Sequence, residues 1–208
     1  YCFIHSLLKF AKDIMEDNQY SDEILISKFQ QGDRDAYTKL VNKYKDRIVN
    51  FIYRYMGDFD VAQDLAQDTF YKLYINKNSY KEVAKFSTWL FTIAANLAKT
   101  ELRKVKRRKT FSVSSLSNDD KEFVLQIPQS EYVDEQRDVG QAQILQSALL
   151  ELDEEFRLII ILREIQELSY ELISKILELP LGTVKSRLNR GKLKLREILK
   201  NKGMLSEN

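Results

Sequence analysis

Apolar residues recur at the spacing of an α-helix along the stretch from Asp33 to Met56. They form one stripe with a period of about 3.6 residues, made of Ala36, Tyr37, Leu40, Val41, Tyr44, Ile48, Phe51, Ile52 and Tyr55. Similar patterns fill much of the remaining sequence, and the 208 residues include only 6 glycines and 2 prolines. Long alternating runs of β-branched residues, which would indicate strands, do not occur. The sequence therefore predicts an all-α protein with short connections.

Breaks in the helical pattern divide the first half into four predicted helices. They cover residues 22 to about 31, 33–56, 60 to about 75, and 87 to about 109, with a polar loop at 76–85. The fourth helix begins apolar and continues as the basic string "KTELRKVKRRK". Together these helices predict a domain over residues 21–109.

The composition changes at residue 110. Residues 110–137 contain clustered serines, a proline and an acidic excess, and no helical period continues through them. This composition predicts a flexible linker between two domains. A second, smaller helical domain is predicted over residues 138–202, followed by a tail at 203–208.

The segment "LPLGTVKSRLNRGKLKLREILK", residues 179–200, predicts a tight turn over 179–182 and then a basic helix. Ser169 is the predicted N-cap of a short helix before that turn, and Asp153 of the helix before it. A short helix, a tight turn and a second helix with a polar N-terminal face are typical of the helix-turn-helix motif. The alternative is a solvated basic face on a bundle helix, which the charge run alone would favour.

The two faces of this basic helix have different chemistry. Its apolar stripe, which should pack on the preceding helices, consists of Val184, Leu188, Gly191, Leu195 and Ile198. The opposite face carries Thr183, Ser186, Asn189 and Arg190, flanked by Lys185 and Arg187. Arg can bond guanine and Asn adenine through two hydrogen bonds each, whereas Lys and Arg also bind phosphate. Leu193 points away from the packing stripe, either as an ordinary exposed leucine or as a partner contact.

Several function classes are excluded by residue types that the sequence lacks. The net charge is +2, and the single Cys2 and single His5 lie near the N-terminus. No Cys/His metal cluster, disulfide framework or His-based acid–base machinery fits the body of the chain, and a carboxylate-bridged metal bundle would need Glu-x-x-His pairs. We therefore expect no metal, no cofactor and no catalytic residue. The cysteine usage fits a cytoplasmic protein, and the short apolar runs predict no membrane insertion.

Residues 1–20 are treated as an N-terminal extension. Met15 precedes polar sequence, which suggests that it is the natural start. The alternative is a genuine extra helix before Met15.

Two distant segments resemble one family. "GDRDAYTKLVNKYKDRI", "DVAQDLAQDTFYKLY" and "FSTWLFTIAANLAKTELRKVKRR" resemble region 2 of sigma-70-type factors, and "LSYELISKILELPLGTVKSRLNR" resembles region 4. The spacing, with no recognisable region 3, is similar to the extracytoplasmic-function (ECF) group. The resemblance covers about residues 21–200. It implies a non-catalytic initiation factor that binds core RNA polymerase, directs it to promoter DNA and is commonly held inactive by an anti-sigma factor.

The resemblance also implies roles for particular residues. The surface that binds core polymerase would use Asp64, Gln67 and Asp68. Reading and melting of the −10 element would use Tyr80, Lys85, Phe86, Ser87, Trp89, Asn96, Lys99, Arg103, Lys104, Arg107 and Arg108. Reading of the −35 element would use Lys185, Ser186, Asn189 and Arg190, with Thr183, Arg187 and Tyr170 on the phosphate side. Each set has a structural alternative: a solvated helix face for the polar residues, and a core position for Phe86 and Trp89.

The chain departs from the family pattern at a few positions. Thr100 stands where Asp is common, Ile173–Ser174 where a small Ala is usual, and Gly191 where Ala is usual. The main rival function is a free-standing helix-turn-helix regulator with an N-terminal sensing bundle, which would bind its operator without polymerase. A further hypothesis is that the linker lets the two domains clamp together when inhibited and spread apart on the promoter.

Overall fold

The computed structural model describes the backbone of residues 21–113 and 136–204, and the side chains of residues 21–108 and 140–204. The described residues form helices and no strand. The helices are α1 (Asp22–Gln30), α2 (Arg34–Met56), α3 (Phe59–Ile75), α4 (Phe86–Val113), α5 (Gln136–Glu151), α6 (Glu154–Ile160), α7 (Tyr170–Leu177) and α8 (Leu181–Asn201). A 3₁₀ turn at Lys77–Ser79 follows α3, and a π-helical segment at Ile161–Ile165 continues α6. The predicted all-α fold is confirmed.

Side-chain caps start the first three helices. Ser21, Asp33 and Asp58 each accept a hydrogen bond from a backbone N–H in the first turn of the helix that follows. Helix α2 ends at Gly57, whose φ of 81° lies in the left-handed region that glycine adopts without strain. These caps explain why the sequence breaks located the ends of α1, α2 and α3 to within a residue or two.

The caps of the second half are mixed. Ser169 accepts a hydrogen bond from the N–H of Leu172, as predicted. Asp153 occupies the N-cap position of α6, but its side chain makes no capping bond there. Its carboxylate instead pairs with Lys194 of α8 at 2.7 Å. The predicted N-cap position is confirmed, whereas the predicted side-chain cap was wrong.

The turn before α8 is shorter than predicted. Glu178 ends α7 with a φ of 55°, and α8 begins at Leu181, so Gly182 lies inside the helix rather than in the turn. The left-handed residue before α8 is thus a glutamate, which lies ahead of the predicted turn. Pro180 occupies the N-cap position of α8, where a missing N–H costs no intrahelical bond.

Helices extend into both ends of the predicted linker. Helix α4 continues to Val113, and α5 begins at Gln136. No Gly or Pro lies between Lys104 and Val113 to stop the helix. Residues 114–135 of the linker, the N-terminal extension with Met15, and residues 205–208 of the tail lie outside the described residues.

The two predicted domains are in contact in this structure. One continuous apolar cluster joins buried residues of α1 to α4 with those of α5 to α8. Helix α4 packs on α7, while α2 contacts α5, α6 and the π segment. The first helix of the helix-turn-helix pattern, α7, therefore lies against α4, whose second half is basic.

Candidate nucleic-acid interface

Helix α8 is fixed by its apolar stripe. Val184 and Leu188 are buried, and Gly191 is buried beneath α6. A Cβ at Gly191 would lie 3.0 Å from Phe156 Cβ and 3.1 Å from Ile160 Cδ1. The glycine therefore permits a close helix–helix approach, which explains the departure from the usual alanine. The predicted packing stripe is confirmed, with Leu195 and Ile198 half-buried at its far end.

The opposite face of α8 is exposed over its first turns. Lys185, Ser186, Asn189 and Arg190 are all exposed. The guanidinium of Arg190 lies along the helix, with Nε 3.4 Å from Ser186 O and Nη2 3.4 Å from Ser186 Oγ. Ser186 Oγ in turn donates to Thr183 O at 3.1 Å. These bonds lie within α8, so these polar side chains rest along the helix surface rather than in the core.

The residues predicted on the phosphate side have neighbours within the fold. The Tyr170 ring lies under Arg163, whose guanidinium carbon is 4.8 Å from the ring centroid, and near Lys185 Nζ at 5.8 Å. Cations over a tyrosine ring are attracted to its electron-rich face. Arg187 Nη2 pairs with Glu155 Oε2 at 2.9 Å. Arg187 is thus half-buried and ion-paired in this structure.

The aromatic residues predicted to stack on promoter bases lie mostly in the core. Phe86 is 0% exposed and Tyr80 is 7% exposed, and their rings contact each other edge to face at 6.0 Å. Neither ring presents a free face to a base in this arrangement, which fits the alternative of a core position, and the stacking role stays a prediction. The physical reason is that Phe86 begins α4 against Tyr44, with ring centroids 5.7 Å apart. Trp89 is half-buried and contacts Tyr80 at 5.5 Å.

Polar bonds anchor the start of α4. The Phe86 N–H donates to Glu23 Oε1 at 3.3 Å, and Tyr44 OH donates to Asp22 Oδ2 at 2.6 Å. Burial and the bond to Asp22 raise the pKa of Tyr44, while a hydrogen bond with Ser87 acts in the opposite direction. Ser87 is half-buried and Lys85 exposed. The start of α4 is therefore bonded to α1 through Glu23, and Lys85 beside it is exposed.

The second half of α4 presents a basic face. Its exposed members are Asn96, Arg103, Lys104, Arg107 and Arg108. Lys99 is half-buried, and its burial, reinforced by the nearby Arg103, lowers its pKa. Lys104 Nζ pairs with Glu101 at 3.0 Å within the same helix. Thr100 is exposed, and its hydroxyl donates to Asn96 O at 2.8 Å. A row of cations at this spacing is suited to binding phosphates.

Helix α3 exposes a mixed polar and apolar face. Asp64, Gln67 and Asp68 are exposed, which fits both the predicted polymerase surface and the alternative of a solvated helix face. Tyr71 and Ile75 continue the same face and are 63% and 55% exposed. The sequence reasoning did not select these two residues, although Tyr71 is three residues after Asp68 and Ile75 four after Tyr71. Large exposed apolar side chains beside carboxylates are a common feature of protein-binding surfaces.

Two negative findings apply to the described residues. None of their His, Cys, Asp and Glu side chains forms a group of three or more that could hold a metal ion. Within the same ranges, no helix combines the length and apolarity needed to cross a membrane.

Comparisons with known proteins give the family. Residues 40–108 match the family described as Sigma-70 region 2, and residues 142–195 match the family described as Sigma-70, region 4. The ECF RNA polymerase sigma factor SigW of Bacillus subtilis is 35% identical over 85% of this chain and 95% of its own length. The RNA polymerase sigma-H factor of Pseudomonas aeruginosa is 34% identical over 84% of this chain and 91% of its own length.

Solved structures agree with the fold. The sigma factor RpoE of Bartonella quintana, in complex with the anti-sigma factor NepR, has a TM-score of 0.66 and 27% identity, covering 79% of this chain and 96% of its own. CnrH, in complex with the cytosolic domain of CnrY, has a TM-score of 0.67 at 20% identity, covering 88% and 99%, and shows the fold alone.

The chain belongs to the ECF group of sigma-70-type RNA polymerase sigma factors. Its class is that of a transcription regulator, and its function is to direct promoter-specific transcription initiation by RNA polymerase. The free-standing regulator that competed with this assignment is thereby set aside.

Proposed function

We propose that this sigma factor reads the −35 element with the first turns of α8. The observation that carries this assignment is the division of one helix into two faces. Val184, Leu188 and Gly191 are buried, whereas Ser186, Asn189 and Arg190 on the other side are exposed. Asn189 and Arg190 are the residue types that discriminate adenine and guanine through paired hydrogen bonds. Lys185 and Ser186 read bases beside them, and Thr183, Arg187 and Tyr170 contact phosphates.

The −10 element is held by the basic half of α4. Asn96, Lys99, Arg103, Arg107 and Arg108 bind the opened strand, with Lys85, Ser87 and Trp89 at the start of the helix. Tyr80 and Phe86 support this edge from the core rather than stacking on bases, since both are buried. A flipped base stacks on the part of the Trp89 ring that is exposed.

Core polymerase binds the exposed face of α3. Asp64, Gln67 and Asp68 supply charge and hydrogen bonds, and Tyr71 supplies an aromatic contact at the end of the same face. Buried aromatic anchors commonly contribute most of the binding energy at such surfaces. The 63% exposure of Tyr71 in the free chain leaves much of its surface available for burial.

The remaining assignments follow from the family. We propose the domain division 21–109 and 138–202, with a linker between, because the two matched regions fall on either side of it. An anti-sigma partner is proposed because the similar RpoE chain was solved in complex with one. The chain acts in the cytoplasm, where polymerase and promoters are found, and it is not itself a catalyst.

Run-off transcription with purified core polymerase tests this proposal. The wild-type chain should support transcription initiation by core polymerase, and changes in the −35 sequence of the promoter should change the amount of transcript. Asn189→Ala and Arg190→Ala should each lose about 1–3 kcal/mol of discrimination at one −35 position. Arg196→Ala, an exposed arginine near the other end of α8, is the matched control and should leave that discrimination unchanged.

Two results would contradict the proposal. Absence of polymerase-dependent initiation by the wild-type chain would remove the promoter-reading role. Equal weakening on all −35 sequences by Arg190→Ala and Arg196→Ala, with no effect of Asn189→Ala, would show that α8 contributes only charge.

A further inference from the structure

The last turn of α1 is bonded to the start of the 76–85 loop, which precedes α4. The side-chain amide of Gln30 donates to two carbonyls of this loop, from Nε2 to Lys77 O at 2.8 Å and to Tyr80 O at 3.1 Å. Lys77 Nζ donates in the opposite direction, to Phe29 O at 2.9 Å, and lies 4.6 Å from the centroid of the Phe29 ring. The end of α1 and the start of the loop therefore hold each other through three hydrogen bonds and one cation–aromatic contact.

The first turn of α1 is bonded to the other end of the loop. Glu23 Oε1 accepts from the N–H of Phe86, the first residue of α4, at 3.3 Å. The N–H groups in the first turn of a helix have no partner within that helix. Glu23 therefore supplies an acceptor to α4 from a neighbouring helix. A single helix of 9 residues thus binds the loop before its first turn of chain and again where it enters α4.

Tyr80 connects this anchorage to the surface. Its carbonyl accepts from Gln30, its hydroxyl donates to Ala84 O at 2.8 Å, and its ring lies 5.5 Å from the ring of Trp89. Tyr80 is 7% exposed, so its ring is confined by the core. The Trp89 ring and the backbone next to Lys85 are therefore supported by a side chain whose own backbone is held by Gln30.

The groups supported in this way are those that the proposed function assigns to the −10 element. Lys85 is exposed and Trp89 is half-buried, and both lie directly after the anchored loop. Contacts that are already in place before binding avoid the cost of ordering flexible groups. Groups that distinguish one base from another must also be held close to their productive geometry. The anchorage should therefore affect base discrimination in addition to stability.

We propose that α1 is the positioning element for −10 recognition, in which Gln30 fixes Tyr80, and Tyr80 holds Trp89 and Lys85 in place. Discrimination at the −10 element then depends on a glutamine whose amide bonds the protein rather than DNA. Glu23 has the same role at the entry into α4. The inference rests on the proposed −10 role of the start of α4 and adds the residues that position it.

Discrimination is measured by competition between two templates in one transcription reaction with core polymerase. One template carries a promoter mapped with the wild-type chain. The other carries the same promoter with one −10 base changed, chosen as the change that most reduces wild-type transcription, and gives a transcript of different length. The ratio of the two transcripts does not depend on the amount of active sigma factor, so a loss of stability alone leaves it unchanged. Since a mismatched base typically costs about tenfold, we expect Gln30→Ala to lower the ratio by about threefold or more.

Matched variants separate the hydrogen bonds from other effects of substitution. Gln31→Ala makes the same change at the next residue, whose Nε2 lies 3.5 Å from Ser27 Oγ of α1, and should keep the wild-type ratio. Gln30→Met keeps the length of the side chain without a donor, and it replaces Gln30→Ala if circular dichroism shows a loss of helix. Glu23→Ala should lower the ratio, whereas Glu23→Gln, which retains an oxygen acceptor, should restore most of it.

Fluorescence of the free full-length chain tests the physical link. Trp89 is the single tryptophan of the 208 residues, so its emission reports on this edge alone. Release of Tyr80 should make the Trp89 ring more accessible to acrylamide. We therefore expect stronger quenching in Gln30→Ala than in the wild type, and wild-type quenching in Gln31→Ala.

Three results would overturn the positioning role. They are a wild-type transcript ratio in both Gln30 variants, an equal loss in Gln31→Ala, and a lowered ratio with unchanged Trp89 quenching, which would mean that Gln30 acts on DNA directly. Equal losses in Glu23→Ala and Glu23→Gln would overturn the role of Glu23.

Failure of this inference differs from failure of the proposed function. The −10 role of the start of α4 is tested separately with Lys85→Ala and Trp89→Ala in the same competition. If neither change lowers the ratio, the start of α4 does not read the −10 element and both claims fail. If either change lowers it while the Gln30 variants keep the wild-type ratio, the function is supported and the positioning role alone is overturned.

Discussion

The close approach of α6 and α8 at Gly191 predicts opposite effects for two glycine-to-alanine changes in one helix. Alanine is about 1 kcal/mol more favourable than glycine inside a helix. At Gly182 an added Cβ meets nothing within 4 Å, so Gly182→Ala should stabilise the protein by up to about 1 kcal/mol. At Gly191 the same methyl lies 3.0 Å from Phe156 Cβ and 3.1 Å from Ile160 Cδ1.

The cost at Gly191 arises because one of these two neighbours cannot move alone. Ile160 Cδ1 is the end of a flexible side chain, but Phe156 Cβ is attached to the backbone of α6. Helix α6 must therefore shift by a few tenths of an ångström, and overpacking of this kind costs about 1–3 kcal/mol. After the gain in helix propensity, Gly191→Ala should lose up to about 2 kcal/mol. The two variants should differ by about 1–3 kcal/mol in the free energy of unfolding.

Urea unfolding followed by circular dichroism measures this difference, with equal m-values as the check that the unfolded states are comparable. The Gly182→Ala protein serves as the matched control, because it carries the same substitution in the same helix. Equal stabilisation by both changes would refute the reasoning, since it would mean that α6 and α8 do not approach closely at Gly191.

Three further predictions concern the core, the acid limit of stability and the polymerase surface. Leu188→Ala, at a side chain that is 1% exposed, should lower the free energy of unfolding by about 2–5 kcal/mol, and a loss below about 1 kcal/mol in urea would place Leu188 outside the core. The hydrogen bond and charge of Lys194 lower the pKa of Asp153, so its stabilising effect is present at neutral pH and lost as pH falls through the folded pKa. Asp153→Asn should therefore weaken the acid dependence of stability, measured as thermal midpoints from pH 7 downward, and an unchanged pH profile would contradict the pairing. Tyr71→Ala should weaken binding to core polymerase by at least about 1 kcal/mol in a titration followed by fluorescence anisotropy, without lowering stability, whereas Lys72→Ala should weaken it less.

Local rules predicted the helices well because their signals lie in adjacent residues. The apolar stripe of α2 and the caps Ser21, Asp33 and Ser169 require only neighbours within a turn or two. Asp153 makes no side-chain cap and instead pairs with Lys194, a partner distant in sequence that local rules do not identify. Glu178 in the left-handed region was equally invisible, since composition assigns such conformations to glycine.

The candidate site was predicted in parts. The face of α8 from Ser186 to Arg190 followed from helical geometry, because packing on one side determines what remains on the other. The sequence left two roles open for Phe86, because an aromatic residue beside a basic helix has the same local pattern whether it meets a base or a tyrosine of the core. Only the contact with Tyr44 in α2 distinguishes these cases.

The net charge of the chain is only +2, and part of the positive charge on its candidate DNA surfaces is neutralised by ion pairs with α6. A DNA-binding chain with a large uniform excess of cations would bind any duplex, because phosphate contacts supply most of the non-specific affinity. Here Glu154 pairs with Lys106 of α4 across the two halves, and Glu155 pairs with Arg187 of α8 within the second half. Both carboxylates lie in the first turn of α6, so a single short element neutralises part of each candidate DNA surface. Because Glu154 pairs with α4 only while the two halves are together, the charge that α4 presents depends on their arrangement rather than on composition alone.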